Sequence, residues 1–456
     1  MRLRAGVRLM LVSEDTQAVL NARVGVAPPS LPTPAAAVCP ASARSASPAI
    51  ELTLHDNLAA AAATWRAFEA VADCTAFQTF AWHDAWQRHI GERCRTAPAI
   101  VEGRQGGRLL FIMPLAVEHG HLARRLVWHA SDLCDYNAPL LAKDFSKRVT
   151  ASRFAALWEE IGALVGSRPC LRRDVVILER MPEVVAAQAN PFAGLPVTPH
   201  ASGAYLMHIA GDWETFYKAK RSSATRRHDR AKAKRLAEAG AVSLVTASDR
   251  CDVEAMLTTL FAQKAVSFAR RGVPNFLARP GYRDFYVDVA SAPATRSLVH
   301  VSKLQVGDVT AATNLGFMFG HRYYHVVASY DAGELSRHGP GTAHLHALIA
   351  YALDHGCTEF DFTVGDEPYK RDWCDSETKL FDLRLASNLR GWAVAAAAGV
   401  GSRLKRCVKR SPALWRAFTN ARLVTARVRR NSPPPESADR ASRGRMGGPD
   451  ALPPRA

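Results

Sequence analysis

The sequence predicts an α/β protein built from two tandem domains with mixed central sheets, on three observations. The chain of 456 residues is 48% hydrophobic, enough for two ordinary domains each burying its own core. Short apolar strands alternate with amphipathic helices over residues 51–200, and a fresh strand begins near His200. Farther on, residues 323–370 read as strand, glycine loop, helix, strand and polar elbow, the order in which α/β folds build a ligand crevice.

Residues 1–50 are rich in Ala, Pro and Ser and are expected to be a disordered leader, like the tail over 431–456. The first domain, 51–200, is assigned strands at Ala99–Glu102, Leu109–Leu115 and Asp174–Leu178, with helices over 59–72 and 150–166. The second, 201–396, opens with a strand at Ala204–Ile209, then a helix capped by Asp212. A long basic helix starts at Ser222-Ser223 and is ended by Gly240. Helices near 253–270 and 282–290 follow, then strands at 298–304, 309–319 and 323–329, the last two joined by a turn at Gly320. A helix over 342–355 and a strand over 358–363 complete the domain, and a basic amphipathic segment fills 397–430.

The net charge of +17 is concentrated. Residues 218–235 hold nine Lys/Arg against one Asp, and residues 401–430 hold ten with no acid, so these two arms account for the whole excess. Basic arms on a neutral body point to anionic partners. Nine scattered cysteines without a Cys-x-x-Cys pair suggest neither a disulfide framework nor a zinc site, and a reducing cytoplasm is expected. The longest small-apolar run, Gly391 to Gly401, is about half the ~20 residues a membrane span needs. The charged start, with Arg2, Arg4, Glu14 and Asp15, leaves no signal-peptide core. His119-x-His121 and His344-x-His346 are taken as structural or solvent-exposed, the second pair pointing to different sides of its helix; no metal is expected.

Gly339-Pro340-Gly341 precedes a helix whose first N–H groups are free to meet an anion. Arg337 and Thr342 flank it. Asp361, Asp366, Glu367, Tyr369 and Lys370 then place five titratable groups within ten residues at the carboxyl end of a strand. The helix Arg226–Arg235 is basic on every face, with Arg226, Arg227 and Arg230 as candidate phosphate contacts. The tail helix Arg403–Arg430 interleaves Leu404, Val408, Leu414, Trp415, Phe418, Leu423 and Val424 with basic residues and carries a kink at Pro412. It suits either the interface of an acidic membrane or a cap on the second domain.

The order of these elements, with Tyr330, Asp331, Gly339-Pro340-Gly341, Asp361-Phe362, Gly365-Asp366-Glu367 and Tyr369-Lys370-x-x-Trp373, resembles GNAT-type acyltransferases of the CelD-like group, associated with cellulose and exopolysaccharide biosynthesis and related to Fem-type transferases. Phe77 to Trp82 with Trp86, and Asp135 to Leu140, fit the same group, so the resemblance covers roughly residues 51 to 395. It departs at Ser336, where the family's phosphate loop begins with Arg or Gln. The resemblance implies two GNAT-like domains and acyl-CoA (acetyl-CoA) as co-substrate. The pantetheine arm would lie between splayed strands, and Arg337, Gly339, Gly341 and Thr342 would hold the pyrophosphate. Glu367 or Asp366 would serve as base, Lys370 for the oxyanion and Tyr369 for the departing thiolate, with Asp361 in the same cluster. A structural ion pair between Asp361 and Lys370 is the plainer account of those two. Asp135 and Tyr136 match an aspartate-tyrosine signature and would line the acceptor cleft, with the arginines of the basic helix gripping an anionic, sugar-linked or nucleotide-linked acceptor. Two other functions stay open: a Fem-like transferase taking aminoacyl-tRNA as donor, and a non-catalytic protein binding a membrane surface or nucleic acid. On the acyl-CoA reading, nucleic acid is not an expected partner.

Overall fold

The structure, a computed structural model, describes residues 49–431. The leader expected over 1–50 lies outside the described residues except for its last two, and so does the tail beyond Asn431. Ile50 already opens the first strand.

Two mixed sheets form the core. The first runs Ile50–His55, Ala97–Gln105, Arg108–His119, Arg124–Trp128, Val175–Pro182, Leu380–Ala386 and Thr198–Pro199, with Leu140–Leu141 beside the third strand. The second runs Val242–Thr246, Val299–Val306, Val309–Phe319, Arg322–Tyr330, Glu359–Val364, Ala204–His208 and Ser376–Thr378. Each is antiparallel except at one step, where a helix carries the chain to a parallel neighbour. In the first sheet Arg124–Trp128 is followed by helix Ala151–Gly166 and then Val175–Pro182; in the second Arg322–Tyr330 is followed by helix Pro340–Asp354 and then Glu359–Val364. Both parallel partners also carry a bulge with a non-glycine residue at positive φ, Arg180 at 57° and Thr363 at 57°. The same topology and the same irregularity occur twice, as a tandem arrangement requires.

Local signals explain the elements. Helix Ala151–Gly166 is capped by Thr150 and buries Phe154, Leu157, Trp158, Ile161 and Val165, the three- and four-residue spacing of one helix face. Asp212 and Ser222 cap Trp213–Lys220 and Ser223–Ala239 as expected, and Gly240 ends the latter. The basic helix buries only Leu236.

One strand departs from the expected division into 51–200 and 201–396. Strand Leu380–Ala386 leaves the second lobe and pairs with Val175–Pro182 of the first, while Ala204–His208 inserts between Glu359–Val364 and Ser376–Thr378. The first lobe is therefore closed by chain that sequence order assigns to the second, while the second takes Ala204–His208 from within its own expected bounds. The lobes also share a core: Trp82 meets Phe285 edge-on at 4.8 Å and Phe317 at 5.2 Å, and Phe77 packs on Tyr324. The expected tail helix is two helices, Leu389–Arg410 and Pro412–Asn431, with the break at Ser411 where Pro412 cannot continue the hydrogen-bond ladder. The first of them packs on Leu380–Ala386 and Val175–Pro182, so it covers the first sheet, and it reaches the second lobe through Lys409, which pairs with Asp366.

Candidate active site

Strands Arg322–Tyr330 and Glu359–Val364 pair only through Arg322 to Tyr324 with Glu359 to Asp361, and then diverge. The gap opens into a cleft of about 540 Å³, where residues 325–330 have a strand partner on one side only. Helix Pro340–Asp354 begins at its edge. Gly339 caps it in the left-handed region at φ 68°, Pro340 takes the first helical position, and no side chain satisfies the first turn. Gly341 and Thr342, expected in a loop or at the helix start, are thus inside the first turn and line the cleft with Gly339 and Ser336. Arg337 does not line it. Its guanidinium turns to His338 in the short turn Glu334–His338, so the charge expected beside the glycines is displaced by the one-residue departure at Ser336. Lys232 of the basic helix lies over Gly339 instead, where a Cβ would stand 3.3 Å from its Cδ.

The five-residue acidic and basic cluster does not stay together. Asp361 is enclosed: its carboxylate accepts from the Tyr136 hydroxyl at 2.8 Å, from Arg322 Nη1 at 3.2 Å and from the Thr363 N–H at 2.8 Å. Burial pushes its carboxyl above the usual range, with Arg322 and the Tyr136 hydrogen bond pulling against that. It faces the first lobe and does not line the cleft. The ion pair weighed between Asp361 and Lys370 is absent among the described residues; each has other partners. Asp366 pairs with Lys409 of helix Leu389–Arg410, away from the cleft. Lys370 is buried, with Nζ 3.1 Å from the Val364 carbonyl and 3.1 Å from Glu367 Oε2. Glu367 and Tyr369 reach the cleft. Burial pushes the Glu367 carboxyl up, but Lys370 and its hydrogen bond pull it below the ordinary value, so it is ionised at neutral pH. Burial raises the Tyr369 phenol and keeps it protonated.

Asp135 and Tyr136, expected along the acceptor cleft, sit behind it at the junction of the lobes. Asp135 lies near Arg180, Thr363 and Lys370, its carboxyl raised by burial. Of the three arginines, Arg226 and Arg230 line a second hollow of about 580 Å³ with Trp213 and Tyr217; Arg227 points to solvent. The hollow meets the cleft at Asp229, which borders both.

Sequence reading passed over Lys264. It projects from helix Arg250–Arg270 into the cleft wall, over the Phe268 ring at 5.6 Å, and is in no ion pair among the described residues. Burial and Arg271 lower its ammonium to about 8. The signal was present: Lys264 lies seven residues after buried Leu257, four after Leu260 and four before Phe268, a lysine in an apolar seam. His325, where the strands part, is also in the cleft; burial and the Lys370 and Lys264 charges hold it neutral, down to about 3. Among the described residues no group of three or more His, Cys, Asp or Glu could hold a metal ion.

Residues 223–371 match the acetyltransferase (GNAT) domain family. The second lobe carries a GNAT-type domain. The matched stretch spans the basic helix, the splayed strands and the glycine-started GNAT helix, and its presence supports a transferase activity. Among solved structures the chain is similar to FemX, at 10% identity and a TM-score of 0.51 over 74% of this chain and 97% of that one, which extends the likeness in fold to both lobes. Other matches are a conserved protein of unknown function from Bacteroides thetaiotaomicron (12% identity, 74% and 100% covered, TM-score 0.47) and a tandem GNAT protein from the clavulanic acid biosynthesis pathway (13%, 75% and 99%, 0.41). No curated protein matches the chain significantly.

Proposed function

We propose that this protein transfers an acyl group, such as acetyl, from acyl-CoA to an amine or hydroxyl of an anionic sugar-linked or cell-envelope precursor. The carrying observation is the uncapped, glycine-started helix at the mouth of a splayed-strand cleft that ends on Glu367 and Tyr369. The first-turn N–H groups and Lys232 would take the pyrophosphate, and the unpaired strand edges the pantetheine amides. Glu367 accepts the proton of the attacking amine or hydroxyl, whose lone pair closes on the thioester carbonyl. As the tetrahedral intermediate collapses the C–S bond breaks, and the Tyr369 hydroxyl protonates the leaving thiolate. The sequence assigned the oxyanion to Lys370. With Lys370 held by Val364 and Glu367, we give that part to Lys264, a part-buried cation lining the cleft, and make Lys370 the residue that positions Glu367. The cellulose or exopolysaccharide pathway rests on the sequence resemblance, and a cytoplasmic setting on the scattered cysteines.

A second reading takes aminoacyl-tRNA as donor. The basic helix laid against the glycine turn supports it, because the same cations would suit a polynucleotide phosphate. Thermal shift across a panel of acyl-CoAs, with aminoacyl-tRNA as the rival, separates the two. A specific donor at a hundredfold excess over its dissociation constant stabilises the fold by about 2.7 kcal/mol. A shift with aminoacyl-tRNA and none with any acyl-CoA overturns the first reading.

A further inference from the structure

Helix Leu389–Arg410 has two faces of different chemistry. One packs on the first sheet, so closely that a Cβ on Gly391 would collide with the Asp174 carbonyl, and it sends Lys409 inward to Asp366 and Ser202. The other points to solvent and is apolar: Leu389, Trp392, Val400 and Leu404 recur at helical spacing along it and are 88%, 66%, 64% and 63% exposed. Past the break at Ser411 the next helix also exposes apolar side chains, Trp415 and Phe418, whose rings lie 6.1 Å apart. Large apolar side chains this exposed, in a row and on two successive helices, exceed what an ordinary solvated face carries. The two helices supply charge of one sign, since residues 401–430 contain ten Lys/Arg and no Asp or Glu, while Asp174 and Glu179 of the first lobe lie beside the first helix. None of the helices among the described residues is long and apolar enough to cross a bilayer.

We propose that these two helices form a docking surface for an anionic lipid bilayer, with Trp392, Leu404, Trp415 and Phe418 entering the headgroup boundary and the flanking arginines meeting lipid phosphates. Apolar side chains alone would equally serve a second copy of the chain. The strong cation excess over residues 401–430 disfavours that partner, because two such faces would repel each other, and favours a negatively charged membrane. Aromatic residues with a polar edge beside long arginines are the side chains that settle at such a boundary. Through Lys409 and Asp366 the docked helix is tied to the elbow that carries Glu367, so the membrane would fix the orientation of the cleft. The docking stands independently of which acyl donor the cleft takes.

The test is co-sedimentation of the full chain with vesicles of phosphatidylcholine alone and of phosphatidylcholine with phosphatidylglycerol. Binding is expected to the anionic vesicles only, to weaken with salt, and to fall at least roughly tenfold in the double variant Trp392→Ser with Leu404→Ser, whose side chains face away from the fold and should leave the melting temperature unchanged. Three results overturn the proposal: no binding to anionic vesicles, binding that the double variant leaves intact, or a dimer in solution that the double variant dissolves. A variant that melts lower is replaced by Phe418→Ser on the second helix, read in the same assay.

Discussion

The Tyr136 hydroxyl donates to the Asp361 carboxylate at 2.8 Å, joining the first lobe to the strand that leads into the polar elbow of the second. The same carboxylate accepts the N–H of Thr363, a β-branched residue at φ 57°, a conformation that costs on the order of 1–3 kcal/mol unless its surroundings impose it. Asp361 thus holds the bulge from which Gly365 to Lys370 emerge. Tyr136→Phe keeps the ring and removes the donor. It should destabilise the protein by about 1–3 kcal/mol, because a buried acceptor loses a partner, and should lower turnover even below the melting transition. Unchanged melting and turnover would show that the junction does not support the elbow.

Gly341 lies in the first helical turn at the cleft, and a Cβ there would stand 3.1 Å from the Tyr330 ring, whose side chain is half exposed and able to move. Gly341→Val should therefore fold and yet weaken CoA binding at least roughly tenfold, by filling the approach to the backbone N–H groups. Calorimetric titration with CoA checks it, and wild-type affinity in the folded variant would remove the phosphate-binding role.

Arg226 and Arg230 share the second hollow, whereas Arg227 faces solvent. Replacing Arg226 and Arg230 together with Ala should raise the Michaelis constant for an anionic acceptor and reduce its salt dependence, with CoA affinity kept. Arg227→Ala serves as the control and should change neither. If CoA affinity falls in the double variant, the hollow belongs to the donor.

Lys264 and Lys370 separate by role. Lys264→Ala should cut turnover by roughly a hundredfold, about 2.7 kcal/mol of transition-state stabilisation, without lowering the melting temperature. Its ammonium is lowered to about 8, so it is charged below that pH and neutral above it. The wild-type rate should fall as pH rises through about 8, and Lys264→Arg should move that limb upward because guanidinium stays charged. Lys370→Ala, which strips Glu367 and the Val364 carbonyl of their partner, should instead lower the melting temperature and shift the pH dependence of the base upward. A rate that rises through pH 8 and loses the rise in Lys264→Ala would make Lys264 a base.

Fold class, most element positions and the glycine-started helix Pro340–Asp354 were legible in the sequence, because they depend on local patterns: period-3.6 and period-2 burial, caps at Asp212 and Ser222, and glycines at 240 and 339 that supply backbone conformations other residues resist. The composition of the site was only half legible. Five titratable groups within ten residues look like one cluster along the chain, but a bulge at Thr363 and a turn at Gly365 send Asp361 to Tyr136, Asp366 to Lys409 and only Glu367 and Tyr369 to the cleft. Side-chain direction after such a bend is set by long-range partners, which no local pattern encodes. The strand exchange of Leu380–Ala386 and the entry of Lys264 from a separate helix are of the same kind. Strand pairing and cleft assembly depend on which distant surfaces bury best together, and that is decided only when the two lobes pack.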